Sequence, residues 1–142
     1  MLKRRYFLVL PFLILIVMVL CFCVADLFAM TAIEYENQWR RADIVESQQE
    51  WDKAVAIITK AIALNPLNPR YPEIMGRVYI WRYYIANSPV TSIEQSQRIL
   101  DKGMYYIQSS IDMRPTWLRA RSTRYKLNQA AEIKRAMIIS QE

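Results

Sequence analysis

The chain has 142 residues, 54% of them hydrophobic, and a formal net charge of +6. It has no histidine, two cysteines and two glycines. That composition excludes Ser-His-Asp triads, Cys-His pairs and His-ligated metals, and it leaves no Gly-rich loop to cradle phosphates. The length accommodates one small domain and one special segment.

The special segment comes first. Tyr6 to Ala25 reads YFLVLPFLILIVMVLCFCVA, without a charge. At 1.5 Å per residue, a helix of that length covers about 30 Å, the thickness of a bilayer core. Residues 6–25 are therefore predicted to cross a membrane, with Pro11 in the second turn, where such a helix tolerates it. Lys3, Arg4 and Arg5 precede the span and Asp26 ends it. This asymmetry predicts a basic cytoplasmic tip at residues 1–5 and an exported, periplasmic domain at residues 31–142, anchored in a bacterial inner membrane. The competing reading is a cleaved signal peptide, for which Cys23-Val24-Ala25 is a passable site. The apolar run exceeds the roughly 7–15 residues of a signal core, which favours an anchor. Cys21 and Cys23 both lie in this run, so the exported domain folds without disulfides.

After the anchor the pattern is helical throughout, with prolines as punctuation. Thr31-x-x-Glu34 is a capping-box pattern and predicts a helix over Ala32–Ser47. Asp52–Leu64 follows, with Ala54, Ile57, Ile58, Ala61 and Ile62 on one face. A third helix runs from Tyr71 to Ala86 and ends at Asn87-Ser88-Pro89. Thr91-x-x-Glu94 caps a fourth over Ser92–Met113, and Pro115 introduces a fifth over Thr116–Ile138. The fold class is all-α: one transmembrane helix, then helical hairpins.

The hairpins repeat. Ala54-x3-Ile58-x2-Ala61-x4-Pro66 and Gly103-x3-Ile107-x2-Ser110-x4-Pro115 share one spacing, and Met75-Gly76-x2-Tyr79 stands at the matching distance after Pro66. This pattern resembles the tetratricopeptide repeat (TPR), over roughly residues 35–115. Small residues at Ala54, Ala61, Gly76, Gly103 and Ser110 would let helices approach closely, with Tyr79, Ile58 and Ile107 filling the gaps. The resemblance implies two TPR-like units and a C-terminal cap helix. The first unit departs from the pattern at Arg41, Ala42 and Val45. The second carries about fifteen extra residues between Tyr79 and Gly103, which should make a protrusion at one edge. Two units are few for a solenoid, so a partner or a second copy is expected to complete the array.

The same resemblance implies a groove lined by first helices. Its residues would be Trp39 and Asp43, with Glu36, Glu46 and Ser47, in the first unit. In the second they would be Arg70, Glu73, Arg77, Ile80 and Trp81. Such a groove would suit a peptide or helix, or a glycan stacked on Trp39 and Trp81. The alternative is that Trp81 packs in the core against Trp117. Charge is segregated: residues 26–52 carry net −5 and residues 113–142 net +5. Arg114, Arg119, Arg121, Arg124 and Lys126 form a candidate basic face for an anionic polysaccharide or headgroup, set against the plainer reading of a solvated helix. The carboxylate pairs Glu34/Glu36 and Asp43/Glu46 show no sign of a cleft, and no enzyme, cofactor or metal is expected. Nucleic acid is excluded by topology. The overall build is similar to small accessory proteins of bacterial exopolysaccharide biosynthesis and export. It points to a non-catalytic assembly factor with envelope membrane proteins as partners. The alternatives are a pilus, secretion or division scaffold, and a glycan-binding module.

Overall fold

The computed structural model describes residues 2–42, 45, 47–85 and 93–139. Within them are five helices and no strand: α1 (Leu2–Ala42), α2 (Gln48–Leu64), α3 (Arg70–Ile85), α4 (Ile93–Met113) and α5 (Leu118–Ile139). The fold is all-α, as the periodicity indicates. The helix ends at Leu64 and Met113 fall where the prolines put them. The Asn87-Ser88-Pro89 turn and the Thr91 cap lie outside the described residues.

The bounds of the first two helices are corrected: α2 starts at Gln48 and not at Asp52, and Ser47 caps it and does not end the helix before. The apolar segment and the first helix of the domain are not separate: α1 runs unbroken for 41 residues. Thr31 is no N-cap, because its Oγ1 donates to the carbonyl of Leu27 one turn back, at 3.0 Å. A capping box works only where the preceding chain leaves the helix, and at Thr31 the chain on both sides is still within α1. The cap that does form is Ser47, whose Oγ accepts from the Glu50 amide at 3.2 Å and starts α2.

Packing begins inside the apolar run. Ala25, Ala29, Ala32, Glu36 and Trp39 are buried in sequence along one stripe of α1, at the i, i+4, i+7 spacing of a helix that faces the core on one side. Below Ala25, from Val9 to Leu20, every large apolar side chain is exposed. Ala54, Ile58 and Ala61 form the matching stripe on α2, and Ser96, Leu100, Gly103, Ile107 and Ser110 the one on α4. Each helix packs on the next, while α1 also touches α3 and α3 touches α5. This arrangement makes α3 the central helix, buried on all sides from Tyr71 to Tyr79.

The close approach sits at the two glycines. A Cβ on Gly76 would lie 2.4 Å from Ile107 Cγ1, and one on Gly103 would lie 3.2 Å from Tyr79 Cβ. Only hydrogen fits at Gly76, so α3 and α4 meet where the small-residue spacing indicates. Around this crossing Trp51 stands edge-on to Tyr79 at 5.2 Å, and Tyr79 stacks on Tyr106 at 5.8 Å. The Trp51 indole also donates to the Val78 carbonyl at 3.0 Å. That side chain ties α2 to α3, and no spacing motif singles it out.

The α2–α3 and α4–α5 turns use one geometry. Asn65 N bonds Ala61 O at 3.1 Å and Asn68 N bonds Asn65 O at 3.3 Å. At the equivalent positions Arg114 N bonds Ser110 O at 3.2 Å and Trp117 N bonds Arg114 O at 2.9 Å. In each case a proline follows the helix end and stops further winding. The α2–α3 turn also touches the last turn of α4, since Ser110 Oγ donates to the Pro69 carbonyl at 2.6 Å.

Candidate functional site

Along the seam where α1, α3 and α5 adjoin runs a ladder of alternating charge. Arg40 Nη2 pairs with Glu36 Oε1 at 2.7 Å, and Arg77 Nε stands 2.9 Å from Glu36 Oε2. Arg77 Nη1 pairs with Glu73 Oε1 at 3.0 Å, and Arg119 Nε lies 3.7 Å from the same oxygen. Thr123 Oγ1 closes the α5 side, 3.3 Å from Glu73 Oε1. The middle of the ladder is dry: Glu36 and Glu73 are fully or almost fully buried and Arg77 nearly so, while Arg40 and Arg119 at the ends are mostly exposed.

Helical spacing explains the assembly. Glu36 and Arg40 are one turn apart on α1, and Glu73 and Arg77 one turn apart on α3, so each helix supplies its own i, i+4 pair. Because the helices adjoin, one arginine bridges acids of both. The dry interior shifts both kinds of group. Burial pushes the Glu73 carboxyl above its ordinary range, against the opposing pull of Arg77, Arg119 and the Thr123 hydroxyl. Burial likewise lowers Arg77, opposed by Glu73 and Glu36. Some capacity is unused: among the described residues Glu73 Oε2, Arg77 Nη2 and the Trp117 indole N–H are buried without a hydrogen-bond partner, and Arg77 Nε points off the hydrogen-bond direction despite its short distance. A buried ion cluster adds little net stability over an apolar core, but removing one member is costly because it leaves a bare charge in the interior.

The expected groove is corrected at several positions. Trp39 faces inward: it is 1% exposed, packed with Val45, Ala54 and Val78, and its indole lies 3.4 Å from Glu50 Oε2. Glu73 and Arg77 are consumed by the ladder. Trp81 is half-buried against the Trp39 cluster, and so packs on the α1–α2 side and not on Trp117. Arg70 is half-buried at the start of α3, at the other end of that helix from Trp81. Asp43 lies outside the described residues, as does Glu46. An open surface bearing Trp39, Glu73 and Arg77 together is therefore not formed. The cause is that α1 and α5 flank α3 closely enough to cover the face that a wider array would leave open.

The basic residues divide as well. Arg114, Arg119, Arg121, Arg124 and Lys126 are all exposed, but Arg119 reaches across to α3 while Arg124 Nη1 donates to Gln108 Oε1 of α4 at 2.8 Å. They lie on both flanks of α5, not on one face. Arg114 covers the Trp117 ring at 5.1 Å.

Neither a family model, nor a curated protein, nor a solved structure matches this chain. The functional reading therefore rests on the chain's own residues. Among those described, no three His, Cys, Asp or Glu side chains gather as metal ligands. One helix, α1, is long and apolar enough to cross a membrane.

Proposed function

We propose that the chain is a single-pass membrane protein whose helical domain is a non-catalytic assembly or docking unit of a bacterial envelope process. Exopolysaccharide biosynthesis or export is the process its overall build resembles. The observation that carries this reading is α1, whose apolar half and domain half are one continuous helix. A bare apolar helix about 30 Å long has no stable place in water and a natural one in a bilayer. The fused domain then leaves the membrane in a fixed orientation, as suits a subunit held against membrane partners.

The TPR-like assignment belongs to the same proposal. It is supported by the recurring turn geometry, the Gly76–Gly103 approach and the adjacency of α1, α3 and α5. On this reading the ladder holds the first helices together, and partners meet the outer surfaces of the array. The exported orientation follows from the basic residues before Tyr6.

The test is a reporter active only outside the cytoplasm, fused after Glu142, together with fractionation of the full-length chain. An active reporter on an uncleaved, membrane-bound product is expected, and membrane proteins should co-purify with it in mild detergent. A soluble, shortened product would overturn the anchor, and an inactive reporter the orientation.

A further inference from the structure

The span reading leaves open what the base of the domain does where α1 leaves the bilayer. Tyr6 to Met30 carries one charge, Asp26. That stretch is about 37 Å of helix, longer than the roughly 30 Å of bilayer hydrocarbon. The last turns of apolar surface therefore reach the headgroup level. There the helix has two different sides. Ala25 and Ala29 are buried against the domain, whereas Leu27 and Met30 are 63% and 60% exposed. The domain thus begins while α1 is still presenting an apolar face outward.

What packs against Ala25 is the base of the domain. The Tyr71 hydroxyl donates to Asp26 Oδ1 at 2.8 Å, and the Lys60 ammonium lies over the Phe28 ring at 5.7 Å. The α2–α3 turn is thereby pinned beside the point of emergence, and the Ser110–Pro69 bond brings the last turn of α4, which leads into the α4–α5 turn, to the same end. Both turns expose apolar tips that nothing in the fold requires. Leu67 is 84% exposed in the first turn and Leu118 is 78% exposed after the second. Within two helical turns of them along the chain stand Lys60, Arg70, Arg114 and Arg121, against the exposed acid Asp112, with Asp26 tied to Tyr71 beside the first turn. Asp112 accepts from Gln108. Apolar tips set among long basic side chains, at one level beside an emerging apolar helix, are the build of an interfacial contact.

Resting on the reading that α1 spans the membrane, we infer that the base of the domain beds on the same bilayer, with Leu67 and Leu118 in the headgroup layer and the basic residues on anionic phospholipid. The occupant is fixed by three things on this surface: its level along α1, its continuity with the lipid-facing side of that helix, and its positive charge beside a negative headgroup. A domain bedded in this way cannot swing about its anchor. Its upper surfaces then stand at a set height and tilt above the membrane.

The test uses the full-length chain with Cys21→Ala and Cys23→Ala, carrying one nitroxide at a time on Leu67→Cys, Leu118→Cys, Gln97→Cys or Val17→Cys. Each is placed in nanodiscs of phosphatidylcholine with phosphatidylglycerol, and helicity confirms the fold. The ratio of oxygen accessibility to that of an aqueous nickel complex is expected to be highest at position 17, intermediate at 67 and 118, and lowest at 97. Adding Arg114→Glu and Arg121→Glu, or omitting phosphatidylglycerol, should shift 67 and 118 toward the nickel complex while leaving 17 unchanged. Aqueous behaviour at 67 and 118 with position 17 still in lipid would overturn the bedding and leave the span intact. Aqueous behaviour at position 17 would overturn the span itself. Immersion at 67 and 118 that is indifferent to lipid charge would overturn the role given to the basic residues.

Discussion

The two halves of α1 share one backbone and follow opposite rules. From Val9 to Leu20 the side chains are large, apolar and exposed all round; from Ala25 to Trp39 the helix buries a single stripe that is small at its start and polar or aromatic further on. Among the described residues the lower half leaves its large apolar side chains uncovered. The upper half needs small residues to let α2 and α3 approach, then a carboxylate for the ladder and an indole to fill the corner by Val78. Nothing in the backbone marks the change. A helix boundary and a domain boundary are separate things, and side-chain size along one face locates the second.

The largest expected effect tests that contrast directly. Trp39→Ala empties the corner shared with Val45, Ala54 and Val78 and should cost about 3–5 kcal/mol, a large share of a small domain's stability. Phe12→Ala removes an aromatic from the bare half and should leave the domain's unfolding unchanged. Chemical denaturation in detergent, followed by helicity, compares the two. Equal losses would mean that the lower half is packed on something in the folded state.

The same rule applies away from α1. Gly76→Leu drives a side chain into Ile107, whose Cγ1 already lies 2.4 Å from where a Cβ would begin. Overpacking of this kind costs roughly 1–3 kcal/mol. Ser109→Leu, on α4 beside the open concavity next to Tyr105 and Met113, should be tolerated. A shared lowering of Tm would refute the close approach.

Which features are legible in the sequence follows from this rule. The stripes of α2 and α4, the prolines that end them and the glycine crossing are local patterns, and each was readable from spacing. The junction at Ala25–Thr31 was not, because the capping-box pattern is blind to what precedes it. Ser47-x-x-Glu50 carries the same pattern and does cap a helix, since the chain there has left α1. Groove orientation was also beyond reach. The resemblance implies a common groove for Trp39, Glu73 and Arg77, yet only the third dimension shows α1 and α5 closing over α3. The pair of i, i+4 charge couples, Glu36/Arg40 and Glu73/Arg77, was a usable signal for the ladder. Opposite charges on the facing sides of two neighbouring helices are expected to find each other.

A sharper and narrower form of the comparison uses adjacent residues. Ala29→Leu puts a larger side chain into the buried stripe and should cost about 1–3 kcal/mol by overpacking. Met30→Leu, one position on and 60% exposed, conserves volume on the outward side and should be silent. Denaturation midpoints of the two variants measure the difference. If both were silent, the packed domain would have to begin above Ala29, and the Asp26–Tyr71 tie would contribute nothing to its stability.

The smallest effect concerns the ladder and is read as a slope against pH. Burial holds the folded-state pKa of Glu73 above its ordinary value, so the folded domain binds that proton more tightly than the unfolded chain does. The associated stability is fully present below the unfolded pKa of about 4.3 and is lost as pH rises through the raised folded value. Glu73→Gln abolishes this titration. It also leaves Arg77 with Glu36 alone, which sets a constant offset between the two chains. Stability of the native chain minus that of the variant should therefore fall as pH is raised from the normal glutamate range toward neutrality, whatever the sign of the offset. Urea unfolding of both chains at a series of pH values supplies the difference. A flat difference would mean that Arg77 and Arg119 fully offset the burial of Glu73, making the ladder a balanced pair of charges. A rising difference would mean that they outweigh it, and Glu73 would then stabilise the domain as an anion.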